Sequence, residues 1–108
     1  MILYTLLMER KTLKELQRFY AEKSKERGFD KETAQDALLL MVEEVGELAR
    51  AVRKQASIKI DDKTKVYAVE EELADIFNYL LHISNILGLD LEESFWKKEE
   101  ENKKRKWT

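Results

Sequence analysis

The chain runs 108 residues without a single proline and with only three glycines, so very little in it interrupts a helix. Proline removes a backbone donor and clashes with the preceding turn, while glycine marks turns that need a left-handed backbone. A loop-rich all-β protein is excluded and long helices are expected. A Thr-x-x-Glu capping box, Thr12 to Glu15, opens a first helix that stops at Gly28. Leu13, Leu16, Phe19 and Tyr20 form its apolar face. A second helix is expected from about Lys31 to Gln55, with Leu38, Met41, Val45, Leu48 and Val52 in one stripe. After a break at Ala56 to Asp62, a third is expected from about Lys63 to Leu87, ended by Gly88. Val66, Val69, Leu73, Ile76, Phe77, Leu80 and Leu87 make its apolar face. Asp90, with Glu93 three residues on, caps a fourth that reaches about Lys106. Four helices on short connections read as an all-α fold, a short four-helix bundle with mostly antiparallel neighbours. It is one domain over residues 1–108, with residues 1–8 as an N-terminal extension whose role the sequence leaves open.

Composition removes whole classes of chemistry. With no Cys there is no disulfide scaffold, no thiolate-held zinc or iron–sulfur cluster and no thiol nucleophile. A single His excludes multi-His metal sites and argues against a Ser-His-Asp site. Twenty basic and 22 acidic residues leave a net charge of −2, so no global field draws nucleic acid or an anionic membrane. The apolar start, Met1 to Met8, is too short to span a bilayer and lacks the basic flank of a signal peptide. A cytoplasmic protein is expected, with no nucleic-acid or membrane partner. A domain of this size buries roughly two-thirds of its unfolded surface, so association would help its core.

Four acids depart from the solvated-face pattern. Glu44 and Glu47 are three residues apart on the second helix, at the edge of its apolar stripe. Glu72 and Asp75 repeat that spacing on the third, among Ala68, Tyr79, Ile83 and Ile86. If the two helices pack antiparallel, the pairs face each other. Four unpaired carboxylates in low dielectric would repel and raise one another's pKa values. A hard divalent cation relieves that repulsion, and all-oxygen ligands select Mg²⁺, Mn²⁺ or Ca²⁺. Mg²⁺ bound in this way keeps waters and takes substrate phosphates as further ligands, which points to phosphate chemistry. Ion pairing of the acids with Lys or Arg of a neighbouring helix or subunit is the plainer alternative. A di-iron bundle wants Glu-x-x-His motifs, and Tyr79 stands three residues before the only His, His82.

The same residues resemble a known family. Glu44-Val-Gly-Glu47, 24 residues and then Glu72-Leu-Ala-Asp75 is similar to the ExxE…ExxD pattern of the MazG-like nucleoside triphosphate pyrophosphohydrolases. The flanking Leu40–Ala49 and Glu71–Ile76 resemble that family's two signature helices. Leu87 to Glu92 is similar to its turn into the last helix, and Lys98, Asn102 and Arg105 to its K-x-x-x-N-x-x-R tail.

The resemblance implies an all-α chain assembled as a homodimer or homotetramer. It also implies Mg²⁺-dependent hydrolysis of a nucleoside triphosphate to the monophosphate and pyrophosphate, with Mn²⁺ as a substitute metal. By position, Glu44, Glu47, Glu72 and Asp75 would be the metal ligands. Glu43, or Glu44 itself, would orient or deprotonate the attacking water. Lys98, Asn102 and Arg105 would hold phosphates or sugar, and Tyr79, on the same column as the acids, could meet the substrate or pack in the core. The implied role is removal of non-standard or surplus nucleotides. Alternatives are a dUTP or dCTP pyrophosphatase, a phosphoribosyl-ATP pyrophosphohydrolase, or a silent helical dimerisation or regulatory module. The chemistry suits the composition, because phosphoanhydride cleavage needs charge neutralisation, a positioned water and cations, but no protein nucleophile.

Overall fold

A computed structural model describes residues 10–57 and 68–107. Four helices occupy them: α1 Leu13–Glu26, α2 Ala34–Gln55, α3 Val69–Ile86 and α4 Leu91–Lys104. The Thr12–Glu15 capping box is formed in both directions at the start of α1. A second box, Thr33 with Asp36, opens α2 three residues later than its apolar pattern suggests. Lys31 and Glu32 lie outside α2, in a turn closed by the Glu32 amide donating to the Phe29 carbonyl at 3.1 Å. Asp90 caps α4 by accepting from the Glu93 amide at 3.0 Å. Gly28 and Gly88 take φ of 80° and 68°, the left-handed backbone that stops α1 and redirects the chain after α3. Residues 1–8 and Lys63 itself lie outside the described residues, but the third helix does not run on from there as expected: Ala68 is extended, with φ −70° and ψ 136°, and α3 begins at Val69. Among the described residues, no helix is long and apolar enough to cross a membrane.

Helix α3 is the centre of the arrangement. Helix α2 packs on it most extensively, α1 packs on it as well, and α4 rests on α1. The chain runs antiparallel from α2 into α3, since Ala51 and Leu73 border one hollow while Glu32 reaches His82 at the opposite end. Gln17 on α1 binds the turn between α3 and α4. Its amide donates to the Leu89 carbonyl at 2.6 Å and its Oε1 accepts from the Leu91 amide at 3.0 Å. The Gln17 carbonyl accepts from Asn85 at 3.0 Å, and Lys14 pairs with Asp90 at 3.6 Å.

The stripes that look like core in the sequence are only partly covered: Met41, Leu48, Val69 and Ile76 are half-buried, and the rest of the described positions lie open. On α2 the buried residues are Ala37 and Ala51, with half-buried Glu44 between them. Leu38, Val45 and Val52 on α2, and Leu73, Phe77 and Leu80 on α3, remain between 37% and 54% exposed, and Val42, outside the expected stripe, is 57% exposed. In each helix this stripe lies about a quarter-turn from the contact face, in the same rotational sense. In an antiparallel pair that places both stripes on one side of the hairpin. Gly46 does not mark a tight approach either, since a methyl group built there would meet open space.

Gln17→Ala should cost about 0.5–1.5 kcal/mol, the net worth of a typical hydrogen bond, because water can reach the exposed Leu89 carbonyl. Urea unfolding at constant m-value checks it.

A candidate metal centre between the second and third helices

The contact between α2 and α3 is where the unexpected acids lie. Carboxylate oxygens of Glu44, Glu72 and Asp75 fall within 4.8 Å of one another. Glu72 is 2% exposed, Glu44 is half-buried and Asp75 opens to solvent. One oxygen of Glu44 and one of Glu72 are buried without a hydrogen-bond partner among the described residues. Among the described residues, none of the three is ion-paired with a Lys or Arg, so structural salt bridging does not account for them there.

Crowding shows in the protonation of the acids. A hydrogen bond shared with Glu72 holds the Glu44 carboxyl above the ordinary carboxylate range, and burial and the Glu72 and Asp75 charges push the same way. Glu47, one turn further along α2, is also raised, first by burial and then by Glu44, while Arg50 opposes the shift. Glu47 therefore borders the cluster without belonging to its tightest triplet. A set of hard oxygen donors with orphaned buried oxygens and unrelieved like charge fits a divalent cation such as Mg²⁺ or Mn²⁺.

The remaining sequence-derived residues divide by distance from this seam. Tyr79 is half-buried beside it, its hydroxyl pKa raised chiefly by burial and then by Glu44, Glu32, Tyr20 and Asp75. Glu43 is exposed on α2. Within one chain, α4 does not gather its polar residues with the acids. Lys98 and Asn102 line an apolar hollow with Leu13, Phe77, Leu80, Leu91 and Phe95. Arg105 lies past the end of α4, its guanidinium 4.6 Å from the Trp107 ring centre. In the sequence Tyr20 reads only as part of the apolar face of α1 and Glu32 carries no signal, while His82, two turns beyond Asp75, reads as a satisfied or exposed residue, with a contact behind the metal ligands as the lesser alternative. His82 is in fact 2% exposed, and its Nε2 lies 2.9 Å from Glu32 Oε1. Its spacing, seven residues beyond Asp75 near the same side of α3, allows such a contact, but nothing in the sequence names Glu32 as the partner.

An all-α hairpin carrying paired carboxylates in its seam defines a class of acidic, metal-fitting helical domains. Residues 32–107 match the MazG nucleotide pyrophosphohydrolase domain, so the chain belongs to that family. Two solved structures resemble it. YPJD from Bacillus subtilis, assigned as a pyrophosphatase, aligns with a TM-score of 0.73 at 26% identity, over 87% of this chain and 97% of that one. The protein iMazG from Vibrio DAT 722 aligns with a TM-score of 0.62 at 30% identity, over 86% and 95%. Among curated protein sequences, none matches the chain. Family and fold together make this protein a nucleotide pyrophosphohydrolase.

A raised Glu44 means the folded chain holds a proton that the unfolded chain has lost. Stability without metal therefore falls as pH rises through and above the ordinary carboxylate range. Glu44→Gln should melt higher than the parent chain near pH 7 in chelator, and the gap should close as the pH is lowered into that range. Thermal melts across pH check it.

Proposed function

We propose that the chain hydrolyses nucleoside triphosphates to the monophosphate and pyrophosphate with Mg²⁺, in the cytoplasm, clearing non-standard or surplus nucleotides. The observation that supports this best is the triplet of carboxylates within 4.8 Å, two of them with a buried oxygen lacking a partner among the described residues. Glu44, Glu47, Glu72 and Asp75 would hold the cation, with Mn²⁺ as a substitute. When bound, the cation supplies neutralisation of the phosphoanhydride oxygens. The chain's own work is to place a water in line with the α-phosphorus and to accept its proton. Glu44 or the adjacent Glu43 takes that proton as the water oxygen bonds to phosphorus. The bond to the bridging oxygen breaks and pyrophosphate leaves.

Substrate contact is assigned to Tyr79 at the seam. Lys98, Asn102 and Arg105 would meet phosphates or sugar only as residues supplied to the acids of another copy, since α4 rests on α1. Assembly as a homodimer or homotetramer fits the exposed stripes of α2 and α3. Exposed apolar area of this kind is what marks a protein interface.

Purified protein with Mg²⁺ and a panel of ribo- and deoxyribonucleoside triphosphates, including dUTP and ITP, should release monophosphate and pyrophosphate. Glu72→Gln should abolish that release, and Mg²⁺ should raise the Tm of the parent chain but not of the variant. Diphosphate with phosphate as products would overturn the bond assignment. A single preferred triphosphate would favour a dedicated pyrophosphatase over a clearing role.

Val42→Glu together with Val45→Glu should convert the oligomer to monomers in sedimentation velocity. A monomeric parent chain would refute the interface.

A further inference from the structure

Buried polar groups that the chemistry leaves unused are few, and the most constrained is His82. Its ring is 2% exposed, and Tyr20 meets it edge-on with ring centres 5.9 Å apart. Nε2 lies 2.9 Å from Glu32 Oε1, and Nδ1 is buried with no partner among the described residues. Burying an imidazole with one nitrogen unsatisfied is costly, and an apolar residue would fill the same space without that cost. What this His supplies beyond volume is a single hydrogen bond, from Nε2–H to the Glu32 carboxylate.

Glu32 stands immediately before Thr33, the residue that caps α2, and its own amide closes the Phe29–Glu32 turn. The link therefore joins the entry of α2 to the last turns of α3. The fully buried side chains of α2 do little to stop it sliding along α3, and Met41 and Leu48 on the same helix are only half-buried. The buried residues of α2 are Ala37 and Ala51, too small to interlock, and the acids between them repel. An α-helix is stiff along its axis, so fixing its first turn fixes Glu44 roughly three turns away.

Resting on the reading of Glu44, Glu72 and Asp75 as cation ligands, we propose that His82 is a positioning residue. Through Glu32 it sets the register of α2 on α3 and hence the meeting of Glu44 with Glu72 and Asp75. It touches neither cation nor substrate.

Calorimetric titration with Mn²⁺, alongside Tm and circular dichroism in chelator, tests this. Glu32→Ala opens no core cavity and should weaken Mn²⁺ binding about tenfold or more, the range found when partners of metal ligands are removed. His82→Ala should do the same, and the double variant should bind no worse than either single one, because both break one link. His82→Gln, whose amide can donate to Glu32, should recover most of the affinity. Loss of Tm with Mn²⁺ affinity unchanged in Glu32→Ala and His82→Ala would overturn the proposal and leave a purely structural contact. Additive losses in the double variant would also overturn it. A parent chain that binds no Mn²⁺, like Glu72→Gln, would overturn the metal reading and this proposal together.

Discussion

The repulsion among carboxylates in the seam between α2 and α3 is the constraint around which the rest of the chain is arranged. Glu44, Glu72 and Asp75 hold like charge within 4.8 Å, and the first two do so partly out of water. An ordinary helix hairpin would fill such a seam with Leu and Ile and gain stability from it. Here that gain is forgone at the centre, and the helices meet instead through Ala37 and Ala51. Small residues on either side of Glu44 leave room in the seam for the acidic side chains to converge. The helix pair is thereby organised around a charge that it does not itself neutralise among the described residues.

Stability has to come from elsewhere, and the surroundings of the hairpin show where. Capping boxes at Thr12 and Thr33 and the Asp90 cap satisfy amides that would otherwise be orphaned at helix starts. Glu70, Glu71 and Glu72 fall in the first turn of α3, where the helix dipole favours negative charge. Helix α1 is fastened to the far end of α3 by Gln17, Asn85 and the Lys14–Asp90 pair, away from the acids. These contacts are polar and local in geometry, although Gln17 and Leu89 are 72 residues apart in sequence.

Much of this was legible before any coordinates. Absence of proline, the capping signals and the glycines at 28 and 88 located all four helices, to within three residues at the boundaries of α1 and at the start of α2. The paired i, i+3 acids pointed to the seam, because a carboxylate inside an apolar column needs an explanation that a solvated one does not. The stripes were misread for a physical reason. Periodicity reports that Leu38, Val45 and Val52 share a side, but not whether that side faces the same chain. Alanines, which carry the actual contact on α2, give almost no periodic signal. The contact between Glu32 and His82 spans 50 residues and depends on how three elements pack, which no spacing rule encodes. The placement of α4 on α1 likewise follows from the turn at Gly88 and the grip of Gln17, neither of which a wheel of α4 contains.

One consequence of the hairpin's geometry concerns how such a chain can change. The apolar stripe and the acidic seam occupy different sides of the same two helices, interleaved in sequence but separated in space. A substitution at Val45 alters exposed apolar area and leaves the distances among Glu44, Glu72 and Asp75 untouched, whereas its neighbour Glu44 does the reverse. Adjacent codons therefore answer to unrelated selective demands. A chain built this way can change how its surface associates while the acids keep their places.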